Sequence, residues 1–238
     1  MTVKQIQHAL QQLGTTKKAQ ASAWFFKTGQ GEYAEGDQFH GVTVPEQRKI
    51  AKKNRKLPLT QCIELLHSPW HEDRLVALFI LVDKFQHAPA PEQREIVRLY
   101  LRNTKCINNW DLVDSSAHKI LGEYLYTTKK SIKRLKVMAK SRLVWDRRIA
   151  IISTYAFILH GDPKATLFIA RFLQRDQHDL IHKAVGWMLR EVGKRCLVAD
   201  EEIFLKEFAA TMPRTMLRYA IEHFPKARQR YYLGLAKT

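Results

Sequence analysis

The sequence predicts an all-α protein, a HEAT-like repeat α-solenoid in which antiparallel helix pairs stack into a curved superhelix. Three observations predict it. Gly and Pro are sparse, 10 and 8 in 238 residues, and the alternation of β-branched and polar residues that marks strands is scarce. Helical segments are separated by short breaks, many at a proline: Pro58, Pro69, Pro89, Pro91, Pro163 and Pro213. The segments WHEDRLVALFIL, NNWDLVDSSAHKIL, VWDRRIAIISTYAFI, DLIHKAVGWMLREVG and PRTMLRYAIEHF can also be laid over one another. One polar position in their first turns then runs Arg74, Asp114, Arg148, Lys183, Arg218, in steps of 40, 34, 35 and 35 residues. That is the period of a helical-hairpin repeat. The alternative is an irregular bundle whose helix lengths happen to agree.

Taken in order, residues 2–13 read as a short amphipathic helix and 17–28 as a second one, containing Trp24, Phe25 and Phe26. Residues 29–44 concentrate glycines at 29, 31, 36 and 41 and read as a loop of a length more often functional or mobile than incidental. Thr43-Val44-Pro45-Glu46 opens the next helix, with proline in the first turn, and that helix runs to about Lys56 before Pro58. Further helices are expected near 59–67, 70–87, 91–103, 108–126, 130–139, 143–160, 163–175, 178–195, 200–210 and 213–224. A chain of 238 residues is long enough for one sizeable core or at most two small domains, and a hydrophobic content of 45% argues for a folded protein; residues 1–238 are expected to form a single domain.

Charge is the strongest global signal. Lys and Arg number 40 against 23 Asp and Glu, a net +17, which favours a polyanionic partner, nucleic acid or an anionic membrane. The longest apolar run, residues 149–159, is interrupted by Ser153 and Thr154 and is too short for a bilayer span. The start, MTVKQIQHALQQLG, has no apolar core of a secretory leader. Cys62, Cys106 and Cys196 are an odd, scattered set, so reduced thiols in a cytosolic protein are expected rather than disulfides or a cysteine-rich zinc site.

In the repeat register four of the five polar positions are basic and one, Asp114, is acidic. In a solenoid such positions line one surface, here taken as the concave one, where Arg74, Arg148, Lys183 and Arg218 would suit a phosphate backbone. A lone carboxylate there would repel DNA and needs a reason, either function or a salt bridge to Arg148. Residues 129–148 add Lys129, Lys130, Lys133, Arg134, Lys136, Lys140, Arg142, Arg147 and Arg148 against the single acid Asp146. Such a run is often a solvated face, but beside a +17 chain it reads as a phosphate-contact surface.

The segment NNWDLVDSSAHKILG, residues 108–122, reads as an amphipathic helix with Val113, Ala117, Ile120 and Leu121 on the buried face. Asn108 or Asn109 caps it. Trp110 and Asp114, four residues apart, project from one side, and Asp111 suits the positive N-terminal end. Trp110, Trp145 and Trp187 sit three or four residues from the aligned polar positions. Each alone would be a core residue, yet indoles among cations can also contact sugar and base faces.

The stretches FHGVTVPEQR, NNWDLVD, VWDRRIAI, HKAVGWMLREVGK and MPRTMLRYAIE resemble the DNA alkylation repair (AlkD-like) glycosylase family, over about residues 20–232. The resemblance implies HEAT-like repeats and excision of N3- or N7-alkylated purines from duplex DNA, with no metal or cofactor and with the lesion left in the duplex rather than flipped out. Matching motif to motif, it implies an active site of Trp110, Asp114, Arg148 and Trp187. DNA contacts are expected from Arg74, Trp145, Arg147, Lys183, Arg190, Arg214, Arg218, Lys52 and Lys53. The protein is expected to be a monomer in a bacterial-type cytosol or nucleoid, with no membrane partner. The chemistry is coherent: ring alkylation puts positive charge on the base and weakens the glycosidic bond, leaving an oxocarbenium-like sugar to be stabilised. Arg148 would orient Asp114 or hold a phosphate.

Other constellations are weaker. His178 and His182 are four apart without a third ligand. Asp111 with Asp114 is too few carboxylates for a metal-dependent nuclease. No lysine stands out for a Schiff-base lyase, and there is no phosphate-cradling glycine motif. The runner-up function is a non-catalytic HEAT-repeat protein that binds or recognises DNA structure; a protein-binding scaffold is third.

Overall fold

The computed structural model describes residues 2–235. Among them every regular element is helical, and the one β-type pairing is an isolated bridge between Gln38 and Trp70. The chain divides into two compact units, Met1–Ser116 and Ala117–Thr238. Within each, consecutive helices pack as pairs, the hairpin repeat of an α-solenoid.

The first unit holds α1 (Val3–Leu13), α2 (Thr16–Phe25), α3 (Val44–Lys53), α4 (Leu59–Leu66), α5 (His71–His87), α6 (Ala90–Arg102) and most of α7 (Trp110–Ala117). α1 starts with a capping box from Thr2 and Gln5. α3 has proline in its first turn and a capping box from Thr43 and Glu46. α5 is the central rod of this unit: residues 71–82 are all buried, against α3 and α4 among others. A helix buried all round should be apolar all round, and from Leu75 to Val82 α5 is. Its first turn departs from that rule, because His71, Glu72, Asp73 and Arg74 are buried too.

The second unit holds α8 (Glu123–Thr127), α9 (Lys133–Met138), α10 (Val144–Ser153), α11 (Tyr155–Leu159), α12 (Lys164–Leu173), α13 (Asp179–Arg195), α14 (Val198–Phe208), α15 (Arg214–Ala220) and α16 (Lys226–Leu235). Ile149, Ile169, Val185, Leu189 and Phe204 form its core. α13 and α15 pack closely at Gly186, where an added Cβ would stand 2.4 Å from the Met216 carbonyl oxygen. Only glycine fits that contact.

Three expectations are corrected. The helix expected over 108–126 is α7 and α8 joined by a π turn, His118–Gly122. The side chains of Ser115 and Ser116 bond back to the carbonyls of Asp111 and Leu112 just before it, a device that bends helices. The helix expected over 143–160 is broken into α10 and α11 at Thr154, whose N–H and hydroxyl both turn back to the Ile151 carbonyl. Beyond Pro225, α16 forms where no helix is expected; Tyr232 is its buried anchor.

Candidate active site

The glycine-rich loop and the first turn of α5 form one structure. The Glu72 carboxylate accepts three consecutive backbone N–H groups, from His40 at 3.0 Å, Gly41 at 2.8 Å and Val42 at 3.2 Å. Asp73 accepts from Ser68 Oγ at 2.6 Å and Gln7 Nε2 at 3.0 Å. Arg74 donates to Asp37 at 2.7 Å and to the Ser68 and Pro69 carbonyls. Gly41 makes the approach possible: its φ is +81°, and an added Cβ would stand 2.4 Å from the Ala19 nitrogen. Buried charge is tolerated when it is paired and hydrogen-bonded, and each of these residues has such a partner.

His71 links this loop to α7. Its Nε2 lies 2.8 Å from Asp111 Oδ2 and its Nδ1 3.3 Å from Asp37 Oδ2. Burial works against a charged imidazole here, but Asp111 and Asp37 outweigh it and take His71 up to about 9. Burial likewise opposes ionisation of Asp37, and its bonds to His71, Arg74 and Asn109 overcome that and hold the carboxyl below the usual range. Asn109 donates to Asp37 at 3.3 Å and accepts from the Trp110 N–H at 2.8 Å, so it caps the start of α7.

Trp110 is half-buried at the end of an aromatic stack. Phe39 stacks on Phe26 at 5.3 Å, Phe26 on Trp110 at 5.5 Å, and Phe25 meets the indole edge-on at 6.0 Å. Beside them Trp24 and Phe25 are 77% and 55% exposed, with Lys27 over the Trp24 ring. Asp114 is half-buried one turn further along α7. Burial pushes the Tyr100 hydroxyl up, and the Asp114 charge adds to this against a Ser116 hydrogen bond, which places the carboxylate within electrostatic reach of that ring.

In the second unit Arg148 is buried on α10 and its Nη1 donates to the Leu180 carbonyl at 2.5 Å. Trp187 is half-buried on α13, 5.8 Å from the Tyr155 ring. Lys183 pairs with Asp179 at 2.7 Å, and Arg190 with Glu222. Arg214 donates to the Leu233 carbonyl at 2.7 Å. Lys52, Lys53 and Arg218 are exposed.

The hydrogen bonds correct the register of the repeat. Ser68 Oγ accepts from the Trp70 N–H and donates to Asp73; Ser141 Oγ accepts from the Leu143 N–H and donates to Asp146. Arg74 donates back to the Ser68 carbonyl and Arg147 to the Ser141 carbonyl, at 3.1 and 3.0 Å. His182 repeats the gesture to the Asp176 carbonyl at 2.5 Å. The counterpart of Arg74 is therefore Arg147 rather than Arg148, and after it His182 rather than Lys183. Adjacent arginines at 147 and 148 hide that one-residue slip from sequence spacing.

Three expected DNA contacts change with it. Arg74 is 4% exposed and spent on Asp37 and two carbonyls. Arg147 is spent on Asp176, at 2.7 Å, and on the Ser141 and Arg142 carbonyls. Trp145 is 4% exposed and belongs to the core. Arg74 and Arg147 are struts of the helix starts. His178 and His182 also serve such starts, His178 Nδ1 accepting from the Leu180 N–H. Residues 37–42 and 71–74 form a site that sequence reasoning missed; the buried HEDR turn after a glycine-rich loop was its one available signal.

The family model of the DNA alkylation repair enzymes matches residues 6–224. The chain belongs to the DNA alkylation repair enzyme family. Among curated proteins none matches. Among solved structures the chain is similar to a predicted DNA alkylation repair enzyme from Enterococcus faecalis, with a TM-score of 0.68 and 18% identity over 90% of this chain and 97% of that one. This likeness speaks for the fold. In this member of the family, the W-D-x-V-D segment becomes the first two turns of α7, with Trp110 against the stack of Phe26 and Phe39. Among the described residues no helix is long and apolar enough to cross a membrane.

Proposed function

We propose that this DNA alkylation repair enzyme is a monofunctional glycosylase that hydrolyses the N-glycosidic bond of N3- and N7-alkylated purines in duplex DNA. The observation that carries the reading is α7, which presents Trp110, packed on its aromatic stack, and Asp114 one turn on, in a chain of net charge +17. The alkylated base is cationic and leaves as a neutral purine, taking the electrons of the glycosidic bond. Water adds to the sugar C1′ and its proton passes to the Asp114 carboxylate or to solvent. Asp114 stabilises the oxocarbenium-like sugar and holds the water; Trp110 favours its growing positive charge, a role the motif match implies for Trp187 as well. The same motif match implies Arg148 as a further residue of the reaction, and no metal or cofactor is required. The lesion is proposed to stay in the duplex, as the family resemblance implies.

Lys52, Lys53, Lys183, Arg190, Arg214 and Arg218 are the proposed phosphate contacts. The proposed working form is a monomer in the cytosol, with residues 1–238 acting as one domain; for the single domain, the support is a family match over residues 6–224 that runs through both compact units. The test is release of 7-methylguanine or 3-methyladenine from methylated duplex DNA without added metal. Asp114→Asn is expected to lose about 10²- to 10³-fold in single-turnover rate while DNA binding is kept. Binding without base release at high enzyme concentration would leave the non-catalytic binder. Lys52→Gln with Lys53→Gln should weaken binding and flatten its salt dependence.

A further inference from the structure

We infer that His71 is a positioning residue for the wall made by Trp110: as an imidazolium it clasps Asp37 of the loop and Asp111 of α7, and so fixes the first turn of α7. The inference rests on the proposed glycosylase reading for its catalytic consequence, but not for its geometry. His71 is 2% exposed and has a carboxylate at each ring nitrogen, 2.8 Å on the α7 side and 3.3 Å on the loop side. An imidazole can donate from both nitrogens only when protonated. Neutral His71 would leave one of the two carboxylates facing a lone pair.

The ring also sits in the aromatic stack, 4.7 Å from Phe39 and 4.8 Å from Phe26. Phe26 in turn bears on Trp110. Asp37 accepts from Asn109, which holds the Trp110 N–H, and Asp111 is the next residue on α7. Phe26, Asn109 and Asp111, all in contact with or next to Trp110, thus each touch His71 or its partner Asp37. The charges acting on the imidazole are Asp111 from α7, Asp37 from the loop and Arg74 from its own helix; the first two favour the proton and the third opposes it. Misplacing a substrate wall by a fraction of an ångström is costly to a reaction that depends on positioning.

The test uses the full chain. With histidine-selective 15N labelling, one imidazole should stay doubly protonated at pH 8 and titrate near 9, and be absent from His71→Gln. The Trp110 indole N–H resonance, assigned with Trp110→Phe, should shift with the same midpoint. Base release by wild type should fall on the alkaline side with that midpoint. His71→Gln should be slower by about tenfold at pH 7.5, keep DNA binding, and lose that alkaline limb. A His71 ring neutral at pH 8, or a Trp110 indole blind to its titration, overturns the inference, as does an unchanged alkaline limb in His71→Gln. If His71→Gln does not fold, the wild-type resonances decide. If wild type releases no base at any pH, the glycosylase reading fails while the resonances still decide the role of His71.

Discussion

The His71 network of the first unit and the Glu201–His223 pair of the second both set a carboxylate against an imidazole, and they have opposite electrical states. Asp37, His71 and Asp111 form an ionised group, because Arg74 and Asn109 add donors to Asp37 and carboxylates face both imidazole nitrogens. Glu201 in the second unit has His223 Nε2 at 3.3 Å, but neither oxygen has a hydrogen-bond partner. Burial pushes Glu201 up to about 9, and burial pushes His223 down. At neutral pH that pair is an uncharged acid beside an uncharged base. Distance alone does not make a buried ion pair; the remaining donors decide whether charge survives.

The comparison breaks most visibly at Asp37. Asp37→Ala leaves Arg74 and His71 as buried cations without their shared acceptor and should cost about 3–5 kcal/mol in denaturant unfolding. A loss below about 1 kcal/mol would mean the network does not hold the loop. Gly41→Ala attacks the same loop through its backbone. The left-handed conformation alone accounts for about 1–3 kcal/mol, and the collision with Ala19 and Thr15 adds to it. Hydrogen exchange at His40 and Val42 should rise as Glu72 loses its amides.

The smallest effect sharpens the contrast. Glu201→Gln should be neutral or up to about 2 kcal/mol stabilising at pH 8. The sign follows from linkage: a carboxyl raised from 4.5 to about 9 on folding contributes fully below 4.5 and loses that contribution as pH climbs to 9. Removing it should turn the slope of unfolding free energy between pH 5 and 6 more positive, because His223, pushed down by burial, adds a slope of opposite sign there. The His71 contribution, whole below 6.5 and lost through about 9, should remain. Unchanged slope at pH 5 to 6 would mean Glu201 is ionised after all.

Much of the fold was legible because helical periodicity, proline breaks and first-turn caps are local signals. Trp110 and Asp114 were legible for the same reason: four residues apart on a helix is a geometric statement. The His71 network was not. Asp37, His71 and Asp111 lie 34 and 40 residues apart, and a hydrogen bond across that separation leaves no periodic trace. The polar first turn of α5, His71 to Arg74, carries no mark in the sequence of its burial or of its partners. The slip between Arg147 and Arg148 arose because two adjacent arginines satisfy the same spacing, and only their carbonyl partners tell them apart. α16 was missed because KARQRYYLGL carries one buried anchor and little apolar periodicity.

The clasp of Glu72 on three successive amides has a consequence in entropy. A glycine-rich segment of this length has the most conformational freedom to lose of any in the chain. Glu72 and Gly41 make it surrender that freedom when the protein folds. A ligand arriving at Trp110, against which Phe26 and then the loop's Phe39 stack, meets groups already ordered, so the ordering cost does not subtract from its binding free energy.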